Sequence, residues 1–190
     1  MVKTGNMDDL ENLKAQLGSI PWCQDLLRDK SVVVEIPVGR QVKRGGDDAA
    51  FAYTFKTKET IPLYVVLHQP PQQPGAPVNE VKGILQIGCG LNGFPNTCHG
   101  GIVATILDEI MGELINVNLK HRAILRTSYM TAYINTTYLK PVSTPSTILA
   151  RACVSKIEGR KLLSTSTIED GHGTVLAKAE ALFVGLNRKL

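Results

Sequence analysis

The feature that most constrains the fold is a long apolar segment that begins at two glycines, Gly100 and Gly101, and runs to about residue 118. Apolar side chains recur in it with the period of an α-helix and cover one continuous arc of the helical surface. The residues of this arc are Val103, Ile106, Leu107, Ile110, Met111 and Leu114. So wide an apolar face has to be covered by a second layer. The segment therefore predicts one long helix packed against the rest of the chain.

Three carboxylates lie on this predicted helix in different surroundings. Asp108 falls at the margin of the apolar arc, beside the small residues Gly101 and Gly112. A carboxylate that is partly removed from water has a raised pKa unless it is hydrogen-bonded. Glu109 and Glu113 fall on the opposite side of the helix. We interpret both as solvated surface charges, with a dimer contact as the alternative for Glu109.

The start of the predicted helix has the chemistry of an oxyanion site. The first N–H groups of a helix have no partner within it, and the positive end of the helix dipole lies there. Glycine at this point lets a ligand approach the backbone closely. Asp108 follows Gly100 by eight residues, which is about 12 Å along the axis at 1.5 Å per residue. The sequence thus predicts an oxyanion donor and a carboxylate on one helix.

Most of the remaining chain has the pattern of strands. Before the helix, Phe51–Phe55 alternates as a strand does, and Leu63–His68 and Val81–Leu91 are also predicted to be extended. After the helix come four strand-like segments, at about residues 127–139, 146–158, 161–169 and 173–185. Short turns join the later segments, which indicates antiparallel neighbours. A single long helix across one antiparallel sheet is an α+β fold.

The first part of the chain is predicted to be a helical extension. Leucines at helical spacing indicate a short helix over residues 7–18, and Pro21 suits the first turn of a second one. Residues 31–37 are expected to be extended, and residues 39–48 to form a charged, glycine-rich loop.

These patterns divide the chain into two parts. We assign residues 1–45 to the N-terminal helical extension and residues 46–190 to the main domain. The main domain contains a loop insert at residues 69–80, where four prolines lie between Gln69 and Asn79. Because proline disrupts regular structure, this insert is predicted to be an exposed, irregular connection.

Composition limits which binding partners and which cellular location we expect for this chain. The 190-residue chain has a net charge of +4 and no basic block, so we do not expect nucleic acid as a partner. No apolar run approaches the ~18 residues of a membrane span, so no membrane partner is expected either. The four cysteines have no metal-ligand spacing and are expected to be reduced thiols of an intracellular protein. We expect a cytoplasmic protein, with mitochondria or peroxisomes as alternatives. The tail Arg188-Lys189-Leu190 resembles a peroxisomal signal that lacks its small first residue.

Several of these residues together point to a family. His99-Gly100-Gly101, Asp108 and Leu139-Lys140-Pro141 resemble the hotdog-fold acyl-CoA thioesterases, in particular the phenylacetyl-CoA thioesterase-like branch. The resemblance covers roughly residues 80–187. It implies a hotdog fold, in which an antiparallel sheet wraps around one long central helix. It also implies cleavage of acyl-CoA or acyl-carrier thioesters without a metal or redox cofactor.

The resemblance assigns roles to four catalytic candidates. The Gly100 N–H polarises the thioester carbonyl, and Asp108 acts as general base or as nucleophile. Thr131 supplies the hydroxyl that positions the water or the acid, and His99 orients the helix start or touches the thioester. The active site of the family lies at a dimer interface, so a homodimer is expected, with a tetramer as an alternative.

Four further residues are candidates for substrate binding. Gly101 and Asn96 lie at the helix start. Arg160 and Lys161 lie at the start of a predicted strand, where they would meet the phosphates of CoA.

One position departs from the family pattern. Some relatives have an asparagine six residues before the histidine, and it binds the attacking water, whereas this chain has Gly93 there. This departure favours one alternative to hydrolysis of acyl-CoA, a non-catalytic protein that binds an acyl group. A second alternative, which the same site would serve, is an enzyme that releases or cyclises a polyketide-like chain in secondary metabolism.

Overall fold

The structure, a computed structural model, describes residues 10–187. It begins with helices α1 (Leu10–Leu17) and α2 (Pro21–Arg28), as predicted. The predicted first residues of α1, 7–9, and the tail tripeptide 188–190 lie outside the described residues. Within the described range, no helix has both the length and the apolar character that a membrane crossing requires.

The strands and the third helix follow in chain order. They are β1 (Val33–Glu35), β2 (Leu63–His68), β3 (Glu80–Ile87), β4 (Asn92–Phe94), β5 (Thr97–Cys98), α3 (Gly100–Lys120), β6 (Tyr129–Tyr138), β7 (Ser146–Glu158), β8 (Lys161–Glu169) and β9 (Val175–Gly185). The predicted long helix is therefore confirmed, with its end two residues beyond the expected one. The four strands predicted after it are confirmed as well, and β1 lies within the predicted extended segment 31–37.

Seven strands of the described chain form one antiparallel sheet in the order β1-β2-β3-β7-β8-β9-β6. The sheet wraps around α3, as the resemblance implies. The strand that follows α3, β6, lies at one edge of the sheet, where it pairs with β9. The small hairpin of β4 and β5 lies immediately before α3 and leads the chain into it.

Both faces of the sheet are covered, which gives two cores. The apolar arc of α3 packs against one face, and helices α1 and α2 pack against the other. Strand β2 contributes to both: Tyr64 and Val66 face the α3 core, and Val65 faces the α1–α2 core. This explains why all six residues of β2 are buried and why its sequence is apolar from Leu63 to Leu67.

Gly83 sets how closely the sheet approaches α3. A Cβ atom at this position would lie 2.9 Å from Cδ1 of Ile110 and 3.0 Å from Cε2 of Tyr64. A larger residue would require the Ile110 and Tyr64 side chains to shift, so glycine favours this close approach of the helix. The position of α3 against β3 is therefore determined by a residue without a side chain.

Two predictions about the N-terminal half are wrong in part. The segment predicted as a strand at Phe51–Phe55 forms a short π-helical turn, Ala50–Thr54. In this turn, the rings of Phe51 and Phe55 meet edge to face, with their centroids 5.4 Å apart. Both rings pack against the α3 core. The segment 39–48, predicted as a charged loop, overlaps a 3₁₀ turn at Val38–Arg40, in which Arg40 is buried. By contrast, the insert at 69–80 is irregular up to the start of β3, as predicted. The division at residue 45 stays a prediction, although β1 already belongs to the sheet.

Candidate active site

The start of α3 is held by backbone hydrogen bonds to two neighbouring segments. The His99 N–H donates to the Leu91 carbonyl at 2.8 Å, and the Cys98 N–H donates to the Val142 carbonyl at 2.8 Å. The turn between β4 and β5 contains Asn96 in a left-handed conformation, with φ 58°, and its carbonyl accepts from the Thr144 N–H. The first residues of α3 therefore have a well-defined position before any ligand binds.

His99 caps the helix through its side chain. Its backbone is extended (φ −61°, ψ 133°), and its Nδ1 accepts a hydrogen bond from the Gly101 N–H at 2.9 Å. A neutral imidazole that accepts through Nδ1 has its proton on Nε2. The Gly101 N–H, predicted to bind substrate, is thus already occupied by His99.

Gly100 supplies the unoccupied donor at this helix start. Its N–H has no acceptor among the described residues, as expected for the first N–H of a helix. Its carbonyl accepts a hydrogen bond from the hydroxyl of Tyr138, at 2.9 Å. Tyr138 was not among the predicted site residues. The only sequence signal for it is its place directly before Leu139-Lys140-Pro141.

Asp108 and Thr131 form the second part of the candidate site. Oγ1 of Thr131 donates to Oδ1 of Asp108 at 3.0 Å, and Asp108 is half-buried at the margin of the apolar arc. Burial raises the pKa of Asp108, and the hydrogen bond from Thr131 opposes that rise. A carboxylate whose pKa is raised toward neutral pH is a better general base than an exposed one. Asp108 and Thr131, two of the predicted catalytic residues, are therefore in direct contact through a hydrogen bond.

The two parts of the site lie apart on the same helix. Eight residues separate Gly100 from Asp108, about 12 Å along the axis. A general base has to come within about 3 Å of the proton that it removes, or reach it through one water. A single carbonyl group therefore cannot contact both the Gly100 N–H and Asp108 of one chain.

The other predicted substrate-binding residues lie in two places. Asn96 is exposed beside the helix start. Arg160 and Lys161 are exposed at the turn between β7 and β8, and Arg160 donates to the Gly185 carbonyl at 2.9 Å. Gly185 pairs with Tyr129, at the end of β6 that lies away from Tyr138. Within one chain, these two basic residues therefore lie at the opposite end of β6 from Gly100, and their role stays a prediction.

Gly93 has a steric reason to be glycine. A Cβ atom there would lie 2.9 Å from Cα of His99 and 3.2 Å from its Cβ and Cδ2. The asparagine that some relatives have at this position does not fit unless His99 moves. Asn92 does not substitute for it, since its Oδ1 accepts from the Thr144 hydroxyl.

Gly93→Asn is expected to reduce both stability and activity, rather than to restore a missing water ligand. The new side chain would displace His99, and overpacking of this kind reduces the free energy of unfolding by about 1–3 kcal/mol. Urea unfolding measures the loss, and Gly112→Asn is the matched control because a Cβ at Gly112 meets nothing within 4 Å. Equal stabilities of the two variants would contradict the steric explanation.

The structure corrects the interpretation of Glu109 and Glu113 as surface charges. Glu113 is only 3% exposed, and it accepts hydrogen bonds from the N–H groups of Gly39 at 3.0 Å and Val38 at 3.3 Å. Glu109 is half-buried, and its Oε1 atom is enclosed and has no hydrogen-bond partner among residues 10–187. The reason is that the 3₁₀ turn Val38–Arg40 returns across this side of α3. Glycine at position 39 leaves room for this approach, because a Cβ there would lie 2.5 Å from Oε1 of Glu109.

Burial changes the acid–base behaviour of this pair. It raises the pKa of Glu109 from its ordinary 4.5 to about 8, and the nearby carboxylates of Glu113, Asp48 and Asp108 raise it further. Burial also raises the pKa of Glu113, and the two backbone N–H donors oppose that rise. At neutral pH, Glu109 therefore holds a proton in the folded protein.

Known proteins are similar to this chain in sequence and in fold. A family model described as the thioesterase superfamily matches residues 95–177, which include α3 and the Asp108–Thr131 pair. Verlamelin biosynthesis protein B of Lecanicillium sp. is 29% identical over 196 residues, which cover 87% of this chain and 84% of that protein. A crystal structure of a thioesterase superfamily protein superposes with a TM-score of 0.53 at 25% identity, and the match covers 95% of this chain and 80% of the other.

A higher identity is found over a shorter region. Acyl-coenzyme A thioesterase THEM4 of Mus musculus is 37% identical over 105 residues. This match covers 55% of the present chain and 42% of the mouse protein. The chain thus spans less than half the length of that relative.

Proposed function

A family model of the thioesterase superfamily matches residues 95–177, and from this match and the geometry of α3 we propose that the chain is a thioesterase that hydrolyses acyl-CoA thioesters. The observation that carries the proposal is that one helix holds both a Gly100 N–H without an acceptor among the described residues and a half-buried Asp108 that accepts a hydrogen bond from Thr131. The mouse relative, named as an acyl-coenzyme A thioesterase, supports CoA as the thiol part of the substrate.

The chemistry needs few groups. The Gly100 N–H donates to the thioester oxygen as negative charge develops on it, and removal of one such donor costs about 3–4 kcal/mol in comparable sites. Asp108 takes a proton from water while the water oxygen bonds to the carbonyl carbon. Alternatively, Asp108 attacks that carbon itself, and water hydrolyses the resulting acyl–Asp108 anhydride to the free acid after the thiolate has left. The C–S bond then breaks, and the thiolate leaves and takes up a proton. We propose no metal or redox cofactor, because a thiolate is a good leaving group.

We propose that each active site combines residues of two subunits in a homodimer. The Gly100 N–H and Asp108 of one chain are too far apart for one carbonyl, so a second copy has to supply one of them. Strand β6 offers the surface for that copy, since it is an edge strand. It also exposes large apolar side chains: Met130 (58%), Tyr133 (43%) and Tyr138 (54%).

A panel of acyl-CoA thioesters of different chain length tests the proposed function. A thiol-trapping assay is expected to detect CoA release from at least one of them, with an equal amount of free acid. Tight binding of acyl-CoA without any thiol release would instead favour the non-catalytic acyl-binding alternative.

A second candidate function is supported by one observation. The relative that aligns along most of both chains is named as a verlamelin biosynthesis protein. The alternative is thus an enzyme that releases or cyclises a chain in a biosynthetic pathway, with the same residues at its site. Acyl-carrier thioesters in the panel distinguish it, because this alternative predicts turnover of carrier-bound chains and none of acyl-CoA. The expected location, cytoplasmic with mitochondrial or peroxisomal alternatives, stays a prediction.

A further inference from the structure

We propose that Tyr138 is a positioning residue that fixes the tautomer of His99 through the Gly100–Gly101 peptide group. The Tyr138 hydroxyl donates to the Gly100 carbonyl at 2.9 Å, and the Gly101 N–H donates to Nδ1 of His99 at 2.9 Å. The effect of this arrangement on turnover rests on the proposed thioesterase function. Its effect on the imidazole does not.

The two hydrogen bonds act on one conjugated group. The Gly100 carbonyl and the Gly101 N–H belong to the same planar peptide unit, whose C–N bond has partial double-bond character. A donor on the carbonyl oxygen withdraws electron density and makes the N–H at the other end a stronger donor, so hydrogen bonds in such a chain strengthen one another. Tyr138 therefore strengthens the bond that makes Nδ1 of His99 an acceptor.

The backbone around Tyr138 holds its ring in place. Tyr138 is the last residue of β6 and pairs with Ala177 on β9. Beyond it, the N–H groups of Leu139 and Lys140 both donate to the Leu176 carbonyl, at 2.9 Å each. The ring lies against the helix start, because a Cβ at Gly100 would be 3.5 Å from Cε1 and 3.7 Å from the hydroxyl of Tyr138. The hydroxyl thus reaches the carbonyl from a fixed strand end.

The consequence for the site is a second donor beside Gly100. With Nδ1 occupied, the proton of neutral His99 is on Nε2, and His99 is exposed. The Nε2–H group is thus available to a thioester or to the CoA portion next to the Gly100 N–H. Without the Tyr138 hydroxyl, the Nδ1–H tautomer of His99 becomes more populated. In that tautomer Nε2 carries no proton and can only accept a hydrogen bond.

The experiment compares Tyr138→Phe with Tyr53→Phe, at a tyrosine that is 53% exposed and lies outside β6, after thermal melts have shown that both are folded. Imidazole ¹⁵N NMR spectra report the tautomer directly, and a His99→Asn variant assigns the His99 signals. We expect Nε2–H to dominate in the wild type and in Tyr53→Phe, and the Nδ1–H fraction to rise in Tyr138→Phe. For a substrate that the wild type hydrolyses, kcat of Tyr138→Phe should fall by about 5- to 10-fold, as for one lost hydrogen bond, with KM within about twofold.

The outcomes separate this proposal from the proposed function. An unchanged His99 tautomer in Tyr138→Phe would overturn the inference, whatever the activity. A changed tautomer with unchanged kcat would overturn its catalytic part. A changed tautomer in a protein that hydrolyses no thioester would leave Tyr138 as a positioning residue and would refute the thioesterase function instead.

Discussion

Asp108→Asn is expected to fold as the wild type does and to lose about 10²- to 10⁴-fold in kcat on acyl-CoA thioesters, the usual contribution of a positioned general base. Asparagine keeps the shape of the side chain and an oxygen that can accept from the Thr131 hydroxyl. It lacks the charge that takes a proton from water or attacks the carbonyl. Steady-state kinetics of CoA release measure the loss.

Glu109→Gln is the matched control for this experiment. It removes the neighbouring carboxylate on the same helix, which lies on the side of α3 that the turn Val38–Arg40 covers. Its kcat at pH 7 should stay within about twofold of the wild type, because at that pH Glu109 is already protonated. Full turnover by correctly folded Asp108→Asn would refute the catalytic assignment of Asp108.

The same control variant is expected to change how stability depends on pH. Between pH 4.5 and about 8, folded Glu109 holds a proton that the unfolded chain has released. Because the folded state binds more protons in this window, the free energy of unfolding falls as pH rises through it. This contribution is fully present below pH 4.5 and is lost as pH approaches and passes about 8. Glutamine at this position removes the dependence, because it does not titrate.

Urea unfolding at pH 5 and pH 8 measures the effect. From pH 5 to pH 8, the free energy of unfolding of Glu109→Gln should rise by about 2–4 kcal/mol relative to that of the wild type. One titrating group can contribute at most about 1.4 kcal/mol per unit of pH. Glu59→Gln, at an exposed glutamate, should follow the wild type at both pH values. Parallel curves for Glu109→Gln and the wild type would show that Glu109 is charged in the folded protein.

The sequence predicted the parts of this fold that depend on local periodicity. The apolar arc of α3 is buried as expected, because its helical spacing has one consistent interpretation. Asp108 lies at the margin of that arc and is half-buried, as predicted. This was predictable because the position of a residue in the sequence determines its angle around a regular helix. The strands of the C-terminal half alternate clearly, and short turns set their antiparallel order.

The wrong predictions concern contacts between distant segments. Periodicity showed that Glu109 and Glu113 lie opposite the apolar arc, but nothing local showed that Val38 and Gly39 would cover them. The hydrogen bonds from these two residues to Glu113 join positions 75 and 74 residues apart. Phe51–Phe55 was misassigned because five residues of alternating pattern do not distinguish a strand from a helical turn. Tyr138 reaches Gly100 only through the crossing of β6 over α3.

The central claim, that one active site combines Gly100 and Asp108 of different subunits, needs a variant that removes only the Gly100 N–H. Gly100→Pro does this. Proline is tolerated at the first position of a helix, and the extended backbone of His99, with ψ 133°, suits a following proline. A Cβ at Gly100 would make ordinary contacts with Tyr138, at 3.5 Å or more. The Gly100→Pro homodimer is expected to lose about 10²- to 10³-fold in kcat.

The deciding measurement is the activity of a hybrid dimer of Asp108→Asn and Gly100→Pro chains, isolated with two different affinity tags. If the sites are shared, one site of the hybrid carries both defects, whereas the other combines an intact Gly100 with an intact Asp108. The account predicts recovery of about half of the wild-type rate per dimer, as expected for two equivalent sites related by twofold symmetry. A hybrid as inactive as the two parent homodimers would contradict it.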